Sequence, residues 1–140
     1  MVNMRRRLLG ITTLAVASIM AMSGTAVAAQ PTTTFFTFAG GSGGAIEGYV
    51  QVCPQGNGDC IEEGSVKVKL FKRKDGVWVK IATKQAIDEG ENTQGLWYVR
   101  FTGVPRSGKC KMVANFSGTE QQDPSRGSIK GGCADSDWRD

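Results

Sequence analysis

Between Val66 and Lys84 the chain sets seven cationic side chains, Lys67, Lys69, Lys72, Arg73, Lys74, Lys80 and Lys84, against a single acid, Asp75. Phe71 and Trp78 stand among them, and Tyr98 follows farther on. Cations interleaved with aromatic rings attract acidic polymers and offer stacking surface. The candidate binding residues are therefore Lys67, Lys69, Phe71, Lys72, Arg73, Lys74, Trp78, Lys80 and Tyr98. Ligands suited to that chemistry are a cell-wall teichoic acid, an anionic lipid, an acidic protein or a glycan. Lysines at this density also discourage pairing between chains when they lie on a sheet edge. Rings facing each other across a hairpin stabilise it as well.

The cysteines and the missing histidine narrow the chemistry further. Cys53, Cys60, Cys110 and Cys133 allow three pairings. Cys53 and Cys60 bracket the turn-rich segment Pro54–Asp59, whose ends meet at little entropic cost. That favours Cys53–Cys60 with Cys110–Cys133. Zinc would need closely spaced cysteine pairs, which this spacing does not supply. The chain contains no histidine, so a histidine-based triad or a zinc–histidine site is impossible. Glu62 and Glu63 are neighbours, and on an extended segment they point to opposite faces and cannot flank one bond. The loops Asp88–Asn92 and Asn57–Asp59 carry oxygen donors without the ladder of a calcium-binding loop. Gly40–Gly44 lacks the lysine and helix of a phosphate-binding loop. Asn115-Phe116-Ser117 matches a glycosylation sequon but falls in the middle of a strand. The expectation is a protein with no enzymatic activity, cofactor or metal.

A leader determines where these residues work. Arg5, Arg6 and Arg7 precede an uncharged run from Leu8 to Met22, and Ala26-Val27-Ala28 supplies small residues for a peptidase. That order reads as a signal peptide over residues 1–28, with the apolar run short for a membrane span. The paired arginines also resemble a twin-arginine signal, although the general secretory route needs only a basic leader. Export to an oxidising space makes the cysteines disulfides. Of 17 basic residues three leave with the leader, so 14 remain against 13 acids. A mature charge near +1 gives no overall pull toward nucleic acid. No second apolar segment is long enough to span a bilayer.

Period-two alternation dominates the rest of the chain. Ile46, Gly48, Val50 and Val52 alternate with Glu47, Tyr49, Gln51 and Cys53. Val66, Val68 and Leu70 do so with Lys67, Lys69 and Phe71, and Val77, Val79 and Ile81 with Trp78, Lys80 and Ala82. Lys74-Asp75-Gly76 turns one strand into the next. Trp97, Val99 and Phe101 form a further inward row, as do Cys110, Met112, Ala114 and Phe116. Phe35, Phe36 and Phe38 mark a first strand after a polar lead, followed by a flexible glycine-rich loop at 40–44. Residues 135–140 read as a flexible acidic tail. No window beyond the leader predicts a helix. Short strands separated by turns predict a single antiparallel β-sandwich of about seven strands over residues 45–134, with residues 29–44 as lead, first strand and loop.

The succession VKVKLFKRKDGVWVKIATKQAID and GLWYVRFTGVPRSGKCKMVANFSGT resembles the bacterial secreted immunoglobulin-like domains, with transthyretin-like sandwiches reading almost the same way. The resemblance rests on Val68, Leu70, Gly76, Trp78, Gly95, Trp97, Phe101, Gly108, Ala114, Phe116 and Gly118. It covers residues 64–118 and departs from the family at Cys110 and at the Cys53–Cys60 loop. It implies an immunoglobulin-like fold and carries no binding residues across. The reading is a secreted binding module that engages an anionic or glycan surface through the Lys67–Lys84 hairpin, its partner an extracellular protein, a glycan or a cell-surface polymer. A second reading is a small inhibitor of an extracellular hydrolase, acting through the bridged loop Pro54–Asp59.

Overall fold

A computed structural model describes residues 28–56, 58–90 and 95–139. The leader expected over 1–28 lies outside them except for Ala28, as do Asn57, residues 91–94 and Asp140. Eight strands make up the described part: β1 (Thr32–Ser42), β2 (Ala45–Pro54), β3 (Val66–Lys74), β4 (Val77–Gln85), β5 (Ile87–Asp88), β6 (Leu96–Thr102), β7 (Lys109–Phe116) and β8 (Ser125–Gly132). They form two antiparallel sheets in the orders β1-β2-β6-β5 and β4-β3-β7-β8. The expected all-β sandwich is present, with eight strands rather than about seven. Among the described residues no helix is long and apolar enough to cross a membrane.

Alternation creates the core. Ile46, Val50 and Val52 from β2, with Trp97, Val99 and Phe101 from β6, face Val66, Val68 and Leu70 from β3. Cys110, Met112, Ala114 and Phe116 from β7 complete the second layer. Each large apolar side chain withdrawn this way contributes roughly 1.5–3 kcal/mol. The Trp97 indole N–H donates to the Ile61 carbonyl at 3.2 Å, satisfying the polar atom of a buried ring. Both expected disulfides are formed, Cys53–Cys60 and Cys110–Cys133.

Three sequence expectations need correction. Gly40, Gly41 and Ser42 are not a flexible loop but the end of β1, and only Gly43-Gly44 turn the chain. Both take positive φ, 61° and 81°, as a two-residue hairpin loop requires. The segment is glycine-rich because another piece of chain crosses it closely. A Cβ on Gly41 would lie 2.0 Å from the Cys133 carbonyl oxygen.

That crossing chain runs from Cys133 into the acidic tail, which is pinned rather than flexible. The Gly41 N–H donates to the Asp135 carbonyl at 2.6 Å, and the Trp138 N–H to the Ala39 carbonyl at 2.8 Å. Trp138 is 3% exposed, and its indole N–H donates to the Gly132 carbonyl at 2.8 Å. The tail thus covers part of the outer edge of β1, which would otherwise offer unpaired backbone groups. Gly41→Ala is expected to force the tail away and lower stability by roughly 1–3 kcal/mol, measured by urea unfolding. A loss below about 0.5 kcal/mol, the scale of neutral surface changes, would show that the tail contributes little.

The third correction concerns β4. Leu70 pairs with Ala82 and Phe71 with Lys80, so Ile81 is the extra residue of a bulge. Ala82 takes the inward position expected of Ile81. Val77 and Val79 keep inward parity but lie on an edge strand and stay 61% and 40% exposed.

Candidate binding faces

Register decides which cations share a surface, because residues paired across antiparallel strands project to the same side. Lys67, Lys69, Phe71 and Arg73 of β3 pair with Gln85, Thr83, Lys80 and Trp78 of β4. On the other side, Lys67, Lys69 and Phe71 pair with Asn115, Val113 and Lys111 of β7. Lys111, Val113 and Asn115 pair in turn with Lys130, Ser128 and Arg126 of β8. The buried Val66, Val68 and Leu70 alternate with these β3 residues, so the paired rows form the outer face of the sheet. Lys109 belongs to the same outward row of β7.

The result is a four-strand surface with eight cations: Lys67, Lys69, Arg73, Lys80, Lys109, Lys111, Arg126 and Lys130. Not one Asp or Glu occurs in β3, β4, β7 or β8. Those strands hold five basic residues in β3 and two each in β4, β7 and β8, or eleven of the 14 that follow residue 28. The acids lie elsewhere. Asp59, Glu62 and Glu63 sit on the loop after β2, Asp88 and Glu89 at β5, and Glu120 and Asp123 between β7 and β8, while Asp75 in the β3–β4 turn and Asp135 beside Gly132 border the basic face. Charge is therefore strongly segregated between the two sheets. Strands are spaced roughly 4.8 Å apart and the screening length is about 10 Å at 0.1 M salt, so neighbouring cations on the face act together.

The two aromatic rings of this face are covered by the protein's own cations. The Lys111 ammonium lies 5.1 Å from the Phe71 ring centre and 4.8 Å from that of Trp78. The Arg73 guanidinium lies 5.5 Å from the Trp78 ring centre as well. Each contact is worth about 0.5–1 kcal/mol at a site this exposed. The rings hold like charges in place, leaving little ring face for a sugar to stack on. Phe71 and Trp78 are not direct cross-strand partners; Phe71 pairs with Lys80, and Trp78 with Arg73. Two shallow depressions lie on the face. One is lined by Lys69, Phe71, Lys111 and Arg126 among others, and the second by Arg73, Trp78, Lys109 and Lys130.

Of the nine residues singled out from sequence, the structure gathers Lys67, Lys69, Phe71, Arg73, Trp78 and Lys80 on this face. Lys72 has the opposite parity, pairing with the buried Cys110 and with Val79. Lys74 shares that parity at the hairpin end, where it pairs with Val77. Lys84 turns the other way and donates to the Arg100 carbonyl of β6 at 2.7 Å. Tyr98 belongs to the other sheet altogether, on the outward row of β6. Its hydroxyl donates to Glu47 at 2.8 Å. Burial, together with that hydrogen bond and the Glu47 charge, raises its pKa above the ordinary value. Lys109, Lys111, Arg126 and Lys130 escaped the sequence reading because they lie more than twenty residues beyond the hairpin and join it only through strand pairing.

The chain matches no protein-family model and no curated protein sequence.

Proposed function

We propose that this chain is an exported, non-enzymatic binding module whose β4-β3-β7-β8 face holds an anionic polymer of the cell exterior. The observation that carries the reading is the set of eight outward cations on four strands that contain no Asp or Glu. Cations in parallel rows suit a repeating anion, such as a polymer of glycerol phosphate, better than a compact ligand. The coverage of Phe71 and Trp78 by Lys111 and Arg73 favours an anion over a neutral sugar on this face. It also favours this reading over inhibition through the Pro54–Asp59 loop, which explains none of the charge segregation.

The strand order supports an immunoglobulin-like assignment. The order β1-β2-β6-β5 over β4-β3-β7-β8 corresponds to strands ABED over C′CFG. Antibody domains bridge strands B and F, whereas here Cys53–Cys60 ties β2 to its own loop and Cys110–Cys133 ties β7 to the end of β8. Two disulfides and a basic, apolar leader support work outside the cytoplasm.

Titration of the oxidised mature protein with a glycerol-phosphate polymer tests the proposal. Log K should fall linearly as log salt rises, as it does when bound polyanions release counterions. Absence of binding, or binding indifferent to salt, would refute it.

A further inference from the structure

The outer face of the other sheet carries a different chemistry. Phe38 of β1, Tyr49 of β2 and Tyr98 of β6 form a row across three strands. Ring centres are 6.4 Å apart between Phe38 and Tyr49, and 5.1 Å between Tyr49 and Tyr98. Among the described residues no cation lies over these rings, in contrast to Phe71 and Trp78. Phe38 is 38% exposed.

Beside the row stand Glu47 and Arg100, partners in the β2–β6 register. They do not pair with each other; the salt bridge found among the described residues joins Arg139 to Asp137. One Glu47 carboxylate oxygen accepts from Tyr98. Among the described residues the second oxygen and the Arg100 guanidinium make no hydrogen bond. Phe38, Ser42, Glu47, Arg100 and Ser136 line one depression at the end of the row.

We infer that this depression and its aromatic row form a binding site for a neutral glycan chain. A carboxylate accepts from two neighbouring hydroxyls and a guanidinium donates to two, the complementary pattern for a sugar's vicinal diol. One negative and one positive group side by side leave no net charge to select an ion. The apolar face of a pyranose stacks on an uncovered ring as other amphipathic surfaces do. The rings are inclined to one another by 54° and 41°. The molecule would then hold two polymers of different charge on opposite faces.

The test titrates the mature protein with four soluble neutral polysaccharides, a β-glucan, a xylan, a galactomannan and an α-glucan, at about 0.05 and 0.5 M NaCl. Binding to at least one of them is expected, unchanged within about twofold across a salt range that screens ionic contacts. Phe38→Ala and Arg100→Ala should each weaken it at least about tenfold, the scale of a central contact. Both side chains are exposed at their tips, and melting curves confirm that the variants fold. Four failures to bind, binding abolished by salt, or binding that survives both substitutions would overturn the inference.

Discussion

Replacing Lys69 and Lys111 by glutamate is expected to lower affinity for a glycerol-phosphate polymer by at least tenfold, roughly 1.4 kcal/mol. Both residues lie in central strands of the basic face, and Lys111 touches both rings. Each reversal removes a cation and introduces an anion, so eight charges of one sign become a net four. Fewer phosphates are neutralised, and the dependence of log K on log salt should flatten with them. Lost cation–π contacts would cost stability on the order of 1 kcal/mol, too little to unfold the domain. Reversal of Arg106 and Arg139 provides the comparison. These residues lie outside the four strands, so the net charge changes equally while the face stays intact. An affinity loss below about threefold is expected there. Equal losses in the two variants would mean that overall charge, and not this surface, governs binding.

The second large effect is on stability. Cys110→Ala with Cys133→Ala should destabilise the fold by about 3–5 kcal/mol. Loop closure over the 23-residue separation accounts for about 3 kcal/mol of that. Both cysteines are buried, at 0% and 2% exposure, so their replacement also leaves a cavity. The bridge fixes the end of β8, and with it the tail that carries Trp138 onto β1. Its loss frees both, so the β1 edge becomes open to pairing with other chains. Opening Cys53–Cys60 should cost less, about 2 kcal/mol, because that loop spans only seven residues. Calorimetry should find a fall in Tm on the order of 10 °C for the first pair and a smaller fall for the second. The reverse order would show that the tail is not held by the Cys110–Cys133 bridge.

Where inward and outward residues differ sharply, the strands could be read directly. Val66-Lys67-Val68-Lys69-Leu70 leaves one consistent way to face a core, and Cys110 to Phe116 does the same. The pairing of Cys53 with Cys60 followed from how little chain separates them. The strand β8, SRGSIKGG, gave no such signal, because Ile129 is its one buried apolar side chain. Its inward position 131 is glycine for a steric reason. A Cβ there would lie 2.5 Å from the Trp138 ring, a contact that exists only once the tail has folded back. Tyr98 shares the outward parity of the hairpin aromatics yet belongs to the other sheet. Parity says which side of its own strand a residue faces, not which sheet holds the strand. The basic face was half visible for the same reason, since the pairing of β3 with β7 brings together residues about forty to fifty positions apart.

Amide chemical-shift mapping of the oxidised, isotope-labelled mature protein during titration with a glycerol-phosphate polymer tests the basic face most directly. Shifts concentrated at Lys69, Phe71, Lys80, Lys111, Arg126 and Lys130, fading as salt is added, are expected. Shifts centred on the Asp59–Glu63 loop or on the Phe38–Tyr49–Tyr98 row, or no shifts at all, would contradict the assignment.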